Sequence, residues 1–418
     1  MVNTMNSPEG ERLGERFNPF RDPYLADPYA FFADARSATP VFYSPLINYW
    51  VVTRYQDIRQ IFESPKLFSA SNALSPIQPP CAEAGRILTA GGVNPVPTLT
   101  NVDPPAHTRV RRLANAAFRP KRVAVMEPFV RELVVRFSEK HLVGGHADLI
   151  RDFAWEVPAL VIFRMLGIPD EDVPRVKAGA ESRLLFMFGH PTEEEQCRLA
   201  HGMGAFWRYA EELVASRAKE PREDITSDLV LARDGDLPAL THAEVTTIVY
   251  GLLLAGHETT TNLLGNAFRQ LLAQRSAWEE ICHDPSLIPN AIEEVLRLNS
   301  SVIVWRRKTT QTVEIGGVAI PAGADLLLLL GSANRDPAVF EDPERFDIHR
   351  ANAREHLAFG HGPHLCLGAP LARLEARVVL EEFTARFPSL RLVAGQMLRF
   401  MPNVSFRGPL SLLAEWDS

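Results

Sequence analysis

The chain has 418 residues, 46% hydrophobic and 23% charged. That is a globular balance, in a chain long enough to bury an internal cofactor. A net charge of −7 without a terminal basic arm excludes a nucleic-acid-binding reading. The N-terminal MVNTMNSPEGERLGERFNPF lacks the apolar stretch of a signal peptide, and the apolar run Ile248 to Ala255 is too short to cross a bilayer, so a cytoplasmic chain without a membrane partner is expected.

In chain order, Asp27-Pro28 opens a short helix and Tyr49 to Thr53 reads as a strand. Ser71 to Pro105 is polar and Pro-rich, with little periodicity, and reads as a long functional loop. A basic helix follows from Ala106 to Phe118. Amphipathic helices are expected at Val123–His141, Phe153–Leu166 and Glu193–Lys219. Thr241 to Leu272 reads as one long helix, capped by Thr241 with Glu244 three residues on. Another helix runs from Pro289 to Leu298, and a Gly316-Gly317 turn joins a hairpin between Val313 and Ile320. Leu326 to Leu330 reads as a buried strand, Ala369 to Phe387 as the last long helix, and Leu410 to Trp416 as a closing strand. The pattern predicts a mainly α fold with small β-sheets in a single domain over 1–418.

Cys81, Cys197, Cys282 and Cys366 show no CxxC spacing. The first three read as inert small residues without disulfides. Cys366 differs, because Gly360, Gly362 and Pro363 form an irregular loop before it and a helix opens just after it. Unpaired backbone N–H groups at a helix entrance favour a thiolate, which a haem iron needs on its proximal side. A buried structural Cys, or iron ligation by His361 or His364, remains open on local chemistry alone.

Phe359-Gly360-x-Gly362-x-His364-x-Cys366-x-Gly368 resembles the haem-binding signature of the cytochrome P-450 family. The resemblance implies the α-rich triangular prism of that family, haem b (iron protoporphyrin IX) as cofactor and Cys366 as the metal ligand. It extends over nearly the whole chain. Glu294 and Arg297 match the family's Glu-x-x-Arg, with Arg345 expected to complete a buried network. Asp103 to Arg111 resembles the start of the haem-flanking helix. His107, Arg111, Arg307 and His364 are thereby implied at the haem propionates, with Phe359 and Ala255 against the cofactor. Ala255-Gly256-His257-Glu258-Thr259-Thr260-Thr261 is similar to the oxygen-activation motif. A zincin reading fails because Thr261 stands where a second His is required. The motif implies Glu258 as a proton relay and Thr259 as a hydrogen-bonding group for dioxygen.

The same resemblance implies a pocket lined by Leu254, Ile303, Val304 and Val404, with a lid from Ser182–Met187 and Leu74–Ile77. The expected reaction inserts one atom of dioxygen into a small hydrophobic substrate, by hydroxylation or oxidative dealkylation. No dinucleotide fingerprint or iron–sulfur cysteine set is present. Electrons are therefore expected from an external ferredoxin or a flavin/iron–sulfur reductase, or from a fused domain beyond this sequence. Arg109, Arg112, Arg119 and Lys121 are the expected donor-docking surface. The alternatives are a peroxide-dependent haem enzyme and a non-catalytic haem sensor or electron carrier.

Overall fold

The computed structural model describes residues 7–417. Helices dominate, and the strands form three small sheets. The largest places Val41–Ser44, Tyr49–Val52, Asp325–Leu328, Trp305–Thr309 and Phe68–Ser69 side by side. Tyr49–Val52 and Asp325–Leu328 run parallel, while the other neighbours are antiparallel. Arg306 pairs with Leu327 and Arg307 with Leu326, so these two arginines leave opposite faces of one strand.

The helices His242–Ala255 and Glu258–Ala273 run through the main apolar core. Thr241 caps the first with Glu244 in a reciprocal capping box, as its sequence predicts. Thr192 and Glu195 do the same for Glu193–Lys219. The second central helix packs on Ala369–Arg386, the helix that follows the Cys366 loop. Phe383 lies 4.7 Å from both Phe268 and Phe153, ring centre to ring centre. This clamp ties the loop's helix to the central one, and burying each ring contributes about 2 kcal/mol.

The single helix expected over Thr241–Leu272 is broken at Gly256 and His257. A Cβ at Gly256 would lie 2.3 Å from Ile162 Cγ1, so the close approach of helix Val157–Leu166 requires glycine there. The expected loop between Ser71 and Pro105 contains helix Ala82–Ala90, whose N-cap is Cys81 rather than a conventional capping residue. The expected helices at Val123–His141 and Phe153–Leu166 begin later, at Glu127 and Val157, with short helical turns ahead of them. The Leu326–Leu330 strand ends at Leu328, and a helical turn starts at Leu330. Ser182–Met187 belongs to helix Val173–Phe188.

Arg345 does not complete the Glu294–Arg297 network with its side chain. Its guanidinium is 65% exposed and pairs with Asp347. Arg350 takes the expected place, donating from Nε to Glu294 Oε1 at 3.1 Å. Glu294 and Arg297 are fully buried and joined by two bonds of 2.7 and 2.8 Å. A pair sealed this way needs every remaining lone pair and proton satisfied. Arg297 meets the need by donating to the carbonyls of Asn334, Pro343 and Arg345, and the Asp347 N–H donates to Glu294. Asn334 Oδ1 in turn accepts from the Leu357 N–H, two residues before the Cys366 loop.

Candidate active site

The Cys366 loop is held by positive-φ glycines. Gly360 lies at φ 71° and Gly362 at φ 69°, and a Cβ on Gly362 would fall 2.7 Å from Phe62 O. The Cys366 N–H donates to Phe359 O at 2.9 Å, closing the loop. Backbone N–H groups of Gly368 and Ala369 donate to the sulfur at the entrance of helix Ala369–Arg386. Burial pushes the thiol pKa up, while these two donors, Arg111 and Arg373 pull it down. The side chain nonetheless has free surface.

Beside this loop, the rings of His107 and His364 lie 4.0 Å apart. His364 Nδ1 is 3.0 Å from Leu99 O. Nε2 of both histidines is buried with no hydrogen-bond partner. Burial and neighbouring cations push His107 down to about 4 and His364 down to about 3. Arg307 acts on both, and burial lowers its own pKa to about 10. Arg307 Nη1 donates to Arg306 O, and its guanidinium lies over the Phe62 ring at 4.9 Å. Arg306, on the opposite strand face, donates to the Ser75 and Ala73 carbonyls instead. Arg111 donates from Nε to Asn115. The nearby acid is Asp103, already engaged by the Ser69 hydroxyl and the Ala70 N–H. Cations and hydrogen-bonding rings thus outnumber acids, and two buried nitrogens are unused. An ionised dicarboxylate such as the haem edge fits that donor set.

The broken central helix presents free surface at Ala255, between buried Leu254 and Leu253 on one side and buried His257 and Glu258 on the other. One turn earlier, Gly251 has nothing within 4 Å of the position a Cβ would take. The Thr259 hydroxyl donates to Ala255 O at 2.9 Å, leaving its oxygen free to accept. Glu258 is buried, with Oε1 3.6 Å from His257 Nε2 and no hydrogen-bond partner for that oxygen. Burial, with a contribution from Glu181, pushes its pKa up to about 7, and Lys177 opposes the shift. Glu258 also borders a cavity of about 50 Å³ with Trp155, Leu184, Asn262 and Asn403, room for a water molecule. Lys177 Nζ donates to Trp155 O and to Glu156 Oε1, and the Glu156 side chain is 38% exposed.

Leu254 and Ile303 retain a few per cent of their surface, while Val304 and Val404 retain none. Ile303, Val304 and Val404 share one apolar cluster with Ile77 and Phe188. The two segments expected to form a lid meet where the Ile77 N–H donates to Met187 O at 3.1 Å. Of the expected docking cations, Arg109 is tied to Glu244 and to the Pro238 and Ala239 carbonyls, and Arg112 to Asp234. Their charge is answered within the chain, whereas Arg119 and Lys121 are exposed. Sequence reasoning missed Arg350, Gly251 and the Lys177–Glu156 link. Arg350 and the Lys177–Glu156 link carry no local signal, because each depends on a distant segment.

The sequence profile of the family described as Cytochrome P-450 matches residues 94–401. The chain is 37% identical to cytochrome P-450 107B1 of Saccharopolyspora erythraea over 370 residues, 87% of this chain and 88% of that one. Its fold matches cytochrome P-450 CREJ in complex with (4-ethylphenyl) dihydrogen phosphate, with a TM-score of 0.93, 40% identity, and coverage of 97% of this chain and 100% of that one. It matches an intact type IV self-sufficient cytochrome P-450 monooxygenase with a TM-score of 0.93 and 40% identity, over 99% of this chain and 55% of that one. Among the described residues no helix is long and apolar enough to cross a membrane. Profile, relatives and fold agree with one another: this chain belongs to the cytochrome P-450 family, the haem b monooxygenases.

Proposed function

We propose that Cys366 would bind the haem iron and that His107, Arg111, Arg307 and His364 would hold the propionates, with Phe359 and Ala255 against the cofactor. The reading rests on the two buried, partnerless Nε2 atoms of His107 and His364 beside a sulfur that already accepts two backbone N–H bonds. When bound, haem b supplies the activation of dioxygen, one atom going into the substrate and the other leaving as water.

The chain's own groups govern protons and access. Glu258 carries a proton at pH values up to about 7 and passes it through the adjacent water-sized cavity. Lys177, bonded to the partly exposed Glu156, links Glu258 to solvent. Thr259 fixes the place of the arriving proton donor by accepting from it while donating to Ala255 O. Loss of that acceptor lets water deliver protons without direction. Gly256 sets the helix break that brings these groups to the distal space.

The substrate is a small hydrophobic molecule. Gly251, Leu254 and Ala255 form one wall, and Ile303, Val304 and Val404 back the other. The aryl ring of the phosphate ester bound by CREJ supports an aromatic portion of the substrate. Electrons come from an external ferredoxin or flavin/iron–sulfur reductase, or from a reductase domain fused to this one. The match to just over half of a self-sufficient monooxygenase supports haem-domain chemistry that depends on a reductase unit. Residues 1–418 act as one haem-binding domain in the cytoplasm.

The test is the carbon monoxide spectrum of the reduced holoprotein. Wild type and Cys282→Ser show the strongly red-shifted Soret band of thiolate ligation, and Cys366→Ser loses it. Retention of that band in Cys366→Ser refutes the ligand assignment. A substrate-induced spin shift, screened over small aromatic and terpenoid compounds, reads the pocket.

A further inference from the structure

Two cysteines outside the haem site meet where two helices pack together. Cys81 is the N-cap of helix Ala82–Ala90, and Cys197 lies in the first turns of helix Glu193–Lys219. The Cys81 N–H donates to Gln196 Oε1 at 2.7 Å, and its sulfur lies 3.9 Å from Glu193 O. Helical side chains lean toward the N-terminus, so the Cys197 side chain leans over the turn that contains Glu193. Burial and the neighbouring Cys81 thiol raise the Cys197 pKa. Both pack on the same small core of Ala84, Phe186, Leu199, Ala200 and Met203, and both are partly accessible.

We infer that Cys81 and Cys197 form a dithiol site that a hydroperoxide converts to a disulfide, tethering helix Ala82–Ala90, which follows the proposed lid segment Leu74–Ile77, to helix Glu193–Lys219. The sulfurs are not equivalent. Cys81 accepts the Ala84 N–H at 3.4 Å at the start of its helix, an environment that supports a sulfur nucleophile. Cys197 is the resolving thiol. In the first step the Cys81 sulfur attacks one peroxide oxygen and the O–O bond breaks. The second oxygen leaves as water, or as an alcohol from an organic hydroperoxide, and Cys81 becomes a sulfenic acid. In the second step the Cys197 sulfur gives up its proton and attacks the Cys81 sulfur. The S–S bond forms, the S–O bond breaks and water leaves. Two thiols lose two electrons in total, and one peroxide gains them. Hydrogen peroxide is what a monooxygenase of this family releases when electrons reach dioxygen without reaching substrate, so the site lies within reach of its own oxidant.

The consequence follows from how helix Ala82–Ala90 is held. Its far end is already tight, since a Cβ on Gly91 would lie 3.1 Å from Gly204 Cα. Its flanks hang on the Ile77 N–H to Met187 O bond and the Val96 N–H to Thr247 Oγ1 bond. A covalent bond at the Cys81 end leaves this helix no free end to swing from the pocket, and substrate access slows.

Wild-type and Cys282→Ser holoproteins are treated with hydrogen peroxide or, to bypass peroxide consumption at the haem, with diamide. Free thiols are then alkylated, and peptides are mapped by mass without reduction. The expected result is a Cys81–Cys197 linked peptide with loss of two free thiols, reversed by dithiothreitol and absent from Cys81→Ser and Cys197→Ser. In the same Cys282→Ser sample, the substrate-induced spin shift becomes slower after oxidation and recovers on reduction. Alkylation of both thiols after either oxidant, or a sulfinic acid at Cys81 without a link, overturns the site. An equal slowing in oxidised Cys81→Ser overturns the tether.

Discussion

Replacing Arg350 with alanine tests whether it, and not Arg345, completes the Glu294–Arg297 network. Arg350 is 8% exposed and donates to Glu294, to the carbonyls of Glu341 and Asp342 and, through Nη2, to that of Arg345. Its loss strands the Glu341 carbonyl, whereas the Asp342 carbonyl keeps the Arg345 N–H. Glu294 keeps both bonds to Arg297 and the Asp347 N–H, so its charge stays partly answered. Removing one partner of a buried pair costs about 3–5 kcal/mol, and the surviving Arg297 bonds place this case near the low end, at about 3 kcal/mol. A chain of this size unfolds with an entropy of about 0.9 kcal/mol/K, so the apparent Tm falls by about 3 °C. Arg345→Ala breaks an exposed pair and costs about 0.5 kcal/mol or less. Thermal unfolding of the holoproteins, followed by circular dichroism and by haem absorbance, compares them. Because the network reaches Leu357 through Asn334, Arg350→Ala also loses haem at lower temperature than wild type. A larger Tm loss in Arg345→Ala than in Arg350→Ala refutes the reasoning.

Two predictions concern protons. Glu258 has its pKa raised to about 7 by burial, so its neutral form is favoured in the fold; the stability this contributes is full below the unfolded value near 4.5 and is lost as pH rises through about 7. Turnover with saturating donor therefore declines above about pH 7, and Glu258→Gln is slower and lacks that inflection; an unchanged pH profile in the variant places the titrating group elsewhere. Thr259→Ala folds with a stability change of about 1 kcal/mol, because its hydroxyl faces space that water enters, but it diverts reductant to peroxide. The ratio of product to peroxide to reductant consumed reads this directly, and equal coupling in the two proteins reduces Thr259 to the helix residue that its bond to Ala255 O makes it.

What the sequence alone determined was local. The Cys366 loop was legible because its glycines, proline and following helix lie within a dozen residues, and the capping boxes at Thr241 and Glu244 because a cap needs only four. What only the tertiary structure decided depended on distant partners. Glycine is required at 256 because Ile162 leaves no room for a side chain, and no feature of the 241–272 pattern announces Ile162. Arg345 and Arg350 lie five residues apart in one irregular segment, and only the folded path decides which guanidinium turns inward to Glu294. The basic face of helix Ala106–Ala117 looked like a free surface because its answering acids, Asp234 and Glu244, lie over a hundred residues away. Cys81 and Cys197 looked inert for the same reason. Spacing along the chain reports metal and redox pairs only when both members sit in one element, whereas a helix docked on another brings thiols together that the sequence keeps far apart.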